Sequence, residues 1–435
     1  MGVYKPLFKR AIFPISEYIA GTSIQTKLKF LHRSQRWSRE ELEEYQNKRI
    51  RLLIKHAYGN VPYYRTLFKK HHILPSEIKN KNDLKKIPIL TKEDLKTNCE
   101  LLRAVNLRGC SFPTYSSGST GQPKKFFITK ESQSWGWAAT YRAWSWQGYQ
   151  LGDKYTKLSL NKRDSMKKKI QDFLFRTQYS YTYNLNNKII EELVKKLNKF
   201  KPHYIRSYPS SLAILSKHIK ENKINIHKPK CIFTTGENLL KSDLDLIMKV
   251  FGSDCFDAYG GDTCTIAFET PNHNGYYVAD ELVALNFERT KKGNEIIVTN
   301  LVNYAFPLIR YNIEDIAEPC KSDVRDQFSF SKIKNIDGRS SEVVALPDGG
   351  KLVVHYFTIL FEYYKGIDHF QIMQDKINNL IINLVINKEY KKEDEKRIIK
   401  QIKKDTNNKV KINIHYIRRI KETLSGKRRI IISEI

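Results

Sequence analysis

A run of small and hydroxyl-bearing residues gives the strongest local indication of chemistry in this 435-residue chain. The run comprises Ser116, Ser117, Gly118, Ser119, Thr120, Gly121, Gln122, Pro123 and Lys124. Small side chains allow tight turns, so amide and hydroxyl groups can converge on phosphate oxygens while Lys124 adds a positive charge. The spacing differs from that of a Walker loop. The run therefore predicts a phosphate-binding loop, with a flexible connector as the alternative interpretation.

Alternating short strands and helices must position such a loop. Between Ser111 and about Ser331, β-rich runs alternate with segments of helical periodicity. Strands are predicted over Cys231–Thr235 and Glu295–Leu301, and helices over Ile189–Phe200 and Ser210–Asn222. Upstream, Ser38 and Glu41 form a capping box that predicts an amphipathic helix ending near Gly59. This alternation predicts an α/β fold in which helices cover β-sheets.

The sequence pattern changes near Asp337-Gly338-Arg339. Downstream, Asp348-Gly349-Gly350 predicts a hairpin turn, and the remaining elements read as a strand, a helix and a strand. These cover Leu380–Ile386, Glu389–Lys404 and Lys411–Ile417. The chain is therefore predicted to have a large domain over residues 1–337 and a small α+β domain over residues 338–435. A short hinge would connect them.

The composition indicates a folded and strongly basic protein. Lys and Arg number 76 against 46 Asp and Glu, which gives a formal charge of +30, and apolar residues make up 40%. Such a charge fits a solvated basic surface or a surface that binds polyanions or membranes. The first 35 residues mix Tyr4, Phe8, Lys9, Arg10 and Phe13. This segment could lie on a membrane or pack against the body of the protein.

Cysteine usage and hydropathy favour a cytoplasmic location. The six cysteines are scattered with no close CxxC pair, which is typical of reduced thiols. No stretch approaches the length of an uninterrupted apolar membrane span, and the N-terminus lacks an apolar signal core. We therefore expect a soluble cytoplasmic protein.

Further motifs follow the loop in a fixed order. They are Thr235-Gly236-Glu237, Tyr259-Gly260-Gly261-Asp262-Thr263, Pro307-Leu308-Ile309-Arg310-Tyr311-Asn312-Ile313-Glu314-Asp315, Asp337-Gly338-Arg339 and Ser425-Gly426-Lys427, with His56 to Arg65 upstream. Together they resemble the acyl-adenylate-forming superfamily, in the branch of phenylacetate-CoA ligase and the CapK-like capsular polysaccharide proteins. The resemblance covers nearly the whole chain. It implies a large adenylation domain closed by a small mobile C-terminal domain.

The resemblance also implies residues that bind ATP. Ser116 to Lys124 would hold the phosphates, and Gly236 and Glu237 would lie beside the adenine and acyl pockets. Tyr259 and Gly260 would lie near adenine, and Asp315 would accept hydrogen bonds from both ribose hydroxyls. A packed core aromatic is the alternative for Tyr259, and a surface acid is the alternative for Asp315.

Lys427, Arg339 and Thr120 complete the implied machinery. Lys427 would stabilise charge as a carboxylate attacks the α-phosphorus, with Thr120 as a second catalytic residue of the loop. Gly338 would act as a pivot, and Arg339 would reach phosphate or ribose on closure. The alternatives are a hairpin turn with an exposed Arg339 and, for Lys427, an ordinary lysine in a basic segment.

One position departs from the family pattern. Most relatives carry a magnesium-binding Glu where this chain has Thr263. Asp262 could take over Mg²⁺ binding through water, or the change could indicate weakened catalysis. Some relatives also hold a structural zinc near this region. Only His273 and the distant Cys320 resemble ligands here, so no zinc site is predicted.

The implied function is ATP-dependent activation of a small carboxylic acid as its acyl-adenylate. Transfer to coenzyme A or to an amine, such as an amino sugar, would follow, in surface polysaccharide biosynthesis. Tyr208, Pro209 and Ser210 resemble a segment that borders the acyl and acceptor channel. ATP and Mg²⁺ are the expected cofactors, with peripheral membrane contact possible and nucleic acid not expected. The alternative is a catalytically impaired adenylate-fold protein that binds polyanions.

Overall fold

The structure is a computed structural model in which most of the chain is described. The described residues are 4–116, 124–159, 163, 165–181, 187–237, 239, 241–261, 264–291, 293–320, 326–337, 343–347, 351–353, 357, 360–361, 364, 366–420, 430–433 and 435.

Helices occupy the N-terminal part and alternate with strands further on. The α-helices are α1 Tyr4–Leu7, α2 Phe13–Ala20, α3 Ile24–Ser34, α4 Arg39–Asn60, α5 Pro62–Lys70, α6 Lys92–Thr97, α7 Lys130–Ser145, α8 Met166–Leu174, α9 Asn187–Phe200, α10 Pro209–Glu221, α11 Lys241–Phe251 and α12 Lys392–Asp405. A π-helical turn, Phe8–Ile12, joins α1 to α2, and 3₁₀ turns cover Pro75–Glu77, Asp83–Lys86 and Val105–Cys110. Capping residues set two of the starts: Ser38 begins α4 with the predicted capping box to Glu41, and Thr129 caps α7.

Strands form one large sheet and smaller ones. They are β1 Ser111–Ser116, β2 Lys124–Thr129, β3 Tyr155–Ser159, β4 Thr177–Tyr181, β5 Tyr204–Ser207, β6 Cys231–Thr235, β7 Asp254–Gly261, β8 Cys264–Glu269, β9 Tyr276–Val278, β10 Val283–Thr290, β11 Gly293–Asn300, β12 Tyr311–Cys320, β13 Lys332–Asp337, β14 Val343–Ala345, β15 Lys351–Val353, β16 Ile367–Lys376, β17 Asn379–Ile386, β18 Lys411–Tyr416 and β19 Ile431–Ser433.

The described strands of the large sheet run in the order β10-β11-β12-β13-β9-β8-β7-β6-β5-β3-β4. The strands β3 to β7 pair in parallel, whereas β7 to β13 pair antiparallel. Helices cover both faces of the parallel part, because successive residues of its strands point to opposite faces and apolar side chains occur on both. Ile205 and Ile232 pack in the cluster formed with α9 to α11, and Tyr204 and Phe233 pack on the side of α7.

The N-terminal segment packs on the body through two aromatic side chains. Phe8 and Phe13 are only 2% and 1% exposed, and their rings lie 5.2 and 5.6 Å from the ring of Phe175. Of the two sequence interpretations, packing against the body therefore holds for these rings. Within the described residues, no helix is long and apolar enough to cross a membrane.

The C-terminal part has a hydrophobic core of its own. The strand order β18-β17-β16-β19 forms a sheet on which α12 packs, and the buried cluster includes Leu380, Ile398 and Ile431. β14 and β15 pair antiparallel on either side of the predicted turn, whose residues 348–350 lie outside the described part. The predicted strand, helix and strand are confirmed within a few residues.

Candidate functional site

The carboxyl ends of the parallel strands bring several of the predicted segments to one edge of the sheet. Tyr208 follows β5 directly, Gly236 follows β6, and Tyr259 lies near the end of β7. These strands are in register, with Arg206 opposite Phe233 and Phe233 opposite Phe256. In open α/β sheets this edge is where ligands bind. The arrangement makes it the candidate site.

Gly236 and Tyr208 are in close contact at this edge. Gly236 has φ +84°, and a Cβ placed there would lie 2.9 Å from Cε1 of Tyr208. A residue with a side chain would therefore be strained and would displace the ring. Burial raises the pKa of Tyr208, Arg206 opposes this shift, and Glu237 adds to it. Gly236 of the Thr-Gly-Glu segment thus packs against Tyr208, the residue that precedes α10.

Tyr259 and Asp315 meet across the sheet. The Tyr259 hydroxyl donates to Oδ2 of Asp315 at 2.7 Å, although β7 and β12 are not neighbours in the strand order. A bulge in β12 accompanies this contact: Ile316 pairs with Glu295 and Asn312 with Ile297, and Glu314 has φ +65°. Bulges of this kind re-aim side chains beside sites. The predicted adenine-side aromatic and ribose-side carboxylate are therefore neighbours.

The segment that leads to Asp315 is held by hydrogen bonds to residues from the N-terminal part of the chain. The Tyr64 hydroxyl is fully buried, donates to the Pro307 carbonyl at 3.0 Å and accepts from the Ile309 amide at 3.0 Å. Arg310 donates to the carbonyl oxygens of Lys85 and Ile87, both at 2.7 Å. Tyr64 of the His56 to Arg65 motif and the backbone carbonyls of Lys85 and Ile87 thus hold the segment that leads to Asp315.

Two antiparallel strands, β1 and β2, flank the predicted phosphate loop in the sequence. Ser116 ends β1, Lys124 begins β2, and the two are register partners. Ser117, Gly118, Ser119, Thr120 and Gly121 lie outside the described residues. So do Asp262, Thr263, Arg339 and Lys427. Pro209 and Ser210 begin α10 directly after Tyr208, and the Ser210 side chain is not described. The positions of these side chains remain predictions.

A buried polar cluster beside the site was not predicted from the sequence. Asp257 accepts hydrogen bonds from Thr234 at 2.7 Å and from Tyr276 at 3.2 Å, and its amide donates to Glu269 at 2.8 Å. Burial raises the pKa of Asp257 to about 6, and the Glu269 charge adds to this shift. The sequence offered one weak signal, an acidic residue, Asp257, within the otherwise apolar run of β7.

His273 belongs to the same cluster. Its Nδ1 lies 2.8 Å from Oε1 of Glu269, and its ring stacks on Phe256 with centroids 4.4 Å apart. Among the described residues, no group of three or more His, Cys, Asp or Glu side chains could hold a metal ion. In the described part of the chain, the partners of His273 are the Glu269 carboxylate and the Phe256 ring.

Known proteins resemble this chain in both sequence and fold. Residues 344–434 match the model of the CapK C-terminal domain. Protein CapK of Staphylococcus aureus is 25% identical over 410 residues, 91% of this chain and 90% of that protein. Phenylacetate-coenzyme A ligase of Aromatoleum evansii is 23% identical over 71% of this chain and 73% of that protein.

Among solved structures, 2-hydroxyisobutyryl-CoA ligase in its postadenylation state, bound to an acyl-AMP, has the same fold. The TM-score is 0.69 at 15% identity, with 92% of this chain and 91% of that chain covered. Fold and sequence relatives together define an AMP-forming ligase of the acyl-adenylate-forming superfamily. Within that superfamily, CapK and phenylacetate-CoA ligase are the sequence relatives that this chain resembles, and its residues 344–434 match the CapK C-terminal domain.

Proposed function

We propose that this chain activates a small carboxylic acid with ATP and then transfers the acyl group to coenzyme A or an amine. The observation that carries the proposal is the contact between Tyr259 and Asp315, 2.7 Å apart at the edge where the parallel strands end. A carboxylate can accept two hydrogen bonds from a diol, and an aromatic ring beside it can stack on a base. This pair suits a nucleoside.

The chemistry requires orientation and charge stabilisation. A carboxylate oxygen of the acid attacks the α-phosphorus of ATP, the bond to the bridging oxygen breaks, and pyrophosphate leaves. Two anions must meet in this step, so an ammonium group between them lowers the barrier. We assign that role to Lys427, with Thr120 and the rest of the Ser116 to Lys124 segment holding phosphate. Asp262 is our candidate for binding Mg²⁺, which would neutralise phosphate charge when bound.

The second step transfers the acyl group. A thiol or amine attacks the acyl carbon, AMP leaves with the bonding electrons, and the proton of the attacking group passes to solvent. Ligases that use coenzyme A are named among the relatives, which favours a thioester product. The name CapK favours a role in surface polysaccharide biosynthesis, where an amino sugar would be an acceptor.

The domain boundary near Asp337 to Arg339 is part of the proposal. Among the described residues, the buried cluster of the C-terminal part begins at Val344, and the buried members of the clusters around the large sheet end at Ile333. Separate cores support two domains, residues 1–337 and 338–435.

A cytoplasmic location also remains a prediction.

Pyrophosphate exchange into ATP, screened over many small acids without acceptor, tests the proposal. Lys427→Ala should lower kcat by about a hundredfold or more, because charge in the transition state loses its partner. Asp315→Ala should raise KM for ATP by about ten- to one-hundredfold, because two charge-assisted hydrogen bonds are lost. Glu318→Ala, an exposed acid on the same strand, and Lys411→Ala in the C-terminal part are matched controls.

Absence of exchange with every acid would contradict the proposal. The competing interpretation, a catalytically impaired protein that binds polyanions, draws on the charge of +30 and on Thr263. It predicts no exchange together with nucleic-acid binding that weakens steeply as salt rises.

A further inference from the structure

Three side chains form a row across adjacent parallel strands next to the candidate acyl channel. Lys157 of β3 is the register partner of Tyr179 in β4 and of Arg206 in β5. Register partners in a parallel sheet project from the same face. Tyr204, Phe233 and Phe256 belong to this face, which α7 covers. These three residues lie near the carboxyl ends of their strands. We call Lys157, Tyr179 and Arg206, together with Arg163, the basic row.

Aromatic rings surround the cations of the basic row. The Lys157 ammonium lies 5.4 Å from the centroid of the Tyr179 ring, and the Arg163 guanidinium lies 5.5 Å from the same ring. The Arg206 guanidinium lies 5.1 Å from the ring of Trp137 and 5.9 Å from that of Trp144. Cations on aromatic faces retain part of their electrostatic stabilisation while losing water. The row is a half-buried site of positive charge.

Positive charge exceeds negative charge in this row. Arg163 pairs with Asp172 at 2.9 Å, whereas no ion pair to Lys157 or Arg206 occurs among the described residues. Around Lys157, the charged groups that act on it in the described part of the chain are Arg206, Arg163 and Asp172, so cations outnumber carboxylates there. Burial lowers the pKa of Lys157 to about 8, and Arg206 and Arg163 add to the shift. Such repulsion is unfavourable unless an anion offsets it.

The basic row adjoins the proposed acyl channel. Arg206 lies two residues before Tyr208, and its charge lowers the pKa of Tyr208 against the effect of burial. Tyr208 in turn contacts Gly236. An acid bound beside Tyr208 would therefore have Arg206 of the row next to it.

We propose that the acid substrate carries a second anionic group, a carboxylate or a phosphate, which Lys157 and Arg206 bind at the far end of the acyl channel. The inference rests on the proposed function and specifies its substrate class. A pocket built for a neutral acyl chain would place apolar side chains in the row. Arg206 suits bidentate binding of a planar or tetrahedral anion, and Lys157 adds a point charge.

Pyrophosphate exchange without coenzyme A tests this inference, because phosphates of the acceptor are then absent. The acids are compared in pairs of matched length: butyrate with succinate and with 3-phosphonopropionate, pentanoate with glutarate, and phenylacetate with 4-carboxyphenylacetate. We expect kcat/KM to be about ten- to one-hundredfold higher for the dianionic member of at least one pair.

Variants locate the preference. Lys157→Met and Arg206→Gln should each reduce the dianion preference, the ratio of kcat/KM between the two members of a pair, about tenfold or more. Arg206→Lys, which keeps the charge and tests for a purely structural effect, should retain most of it. The matched control is Lys154→Met. Lys154 lies immediately before the first residue of β3, at the amino end of the strand, and donates to the Phe200 carbonyl at 3.3 Å.

The pH profile gives an independent readout. Since the pKa of Lys157 is about 8, its charge is present at lower pH and is lost as pH rises through that value. The dianion preference should therefore fall between about pH 7 and about pH 9 in the wild type. For the dicarboxylate pairs, whose carboxylates stay ionised over this range, the preference of Lys157→Met should be flat.

The outcomes separate the two proposals. Exchange with monocarboxylates but no dianion preference and no effect of Lys157→Met would overturn this inference and leave the proposed function standing. A raised KM for coenzyme A in Lys157→Met, without a changed acid preference, would assign the row to the acceptor and also overturn it. Absence of exchange with any acid would contradict the proposed function itself.

Discussion

At the scale of single residues, the contact between Tyr259 and Asp315 joins positions 56 residues apart in the chain. The hydroxyl fixes one carboxylate oxygen, so the Asp315 side chain has a defined orientation before any nucleotide binds. Preorganisation of this kind lowers the entropy cost of binding. It also means that the two residues contribute unequally, since the carboxylate would contact the ribose and the hydroxyl would act through the carboxylate.

Tyr259→Phe should therefore have a smaller effect than Asp315→Ala. The ring is kept and one hydrogen bond to a charged group is lost, so KM for ATP should rise about three- to tenfold with kcat nearly unchanged. Steady-state exchange kinetics measure this change. Tyr276→Phe, which removes the hydroxyl of another Tyr–Asp pair, is the control and should leave KM for ATP unchanged. An effect as large as that of Asp315→Ala would contradict the assigned positioning role.

At the scale of elements, α8 presents apolar side chains to solvent. Met166, Ile170 and Phe173 are 70%, 54% and 82% exposed, and Lys167 to Lys169 lie between them. The Tyr4 hydroxyl of α1 bonds to the Leu174 carbonyl, which ties the N-terminal segment to this helix. On α2, Ile15, Tyr18 and Ile19 are also exposed. An apolar surface flanked by lysines is typical of helices that lie on anionic membranes.

Peripheral membrane contact through α8 is therefore a testable prediction. The full chain should cosediment with phosphatidylserine vesicles at low salt and dissociate as salt rises. The double variant Ile170→Ser with Phe173→Ser should weaken binding about tenfold or more, because two inserted apolar groups are lost. Leu101→Ser with Ile214→Ser, at exposed apolar positions elsewhere, is the control. No binding of the wild type at low salt would contradict the prediction.

At the scale of the whole molecule, the two cores suggest that the large domain folds alone. A fragment of residues 1–337 retains every buried member of the clusters around the large sheet. It should unfold cooperatively and be stabilised by AMP, because Tyr259 and Asp315 are present. Exchange should be lost, because Lys427 is absent.

Thermal unfolding with and without AMP, together with exchange assays, measures these properties. Full-length Lys427→Ala is the control and should match the fragment in exchange while keeping the C-terminal core. A fragment that shows no cooperative transition would contradict the proposed boundary.

Local patterns in the sequence determined the elements and the fold class. The capping box at Ser38 set the start of α4, and the apolar periodicity gave β6 over Cys231–Thr235 as the structure has it. Such signals are local because caps and side-chain periodicity involve residues a few positions apart. The motif order indicated the superfamily, which the relatives and the fold confirm.

Tertiary structure alone decided which side chains meet. No local pattern predicts that a bulge at Glu314 brings Asp315 to Tyr259, or that Lys157 and Arg206 share one face of the sheet. Strand order and register set these contacts, and they depend on pairing between residues far apart in the chain. The sequence thus determined the class of chemistry, whereas the arrangement of strands placed Lys157 beside Arg206, the juxtaposition on which the proposed substrate charge rests.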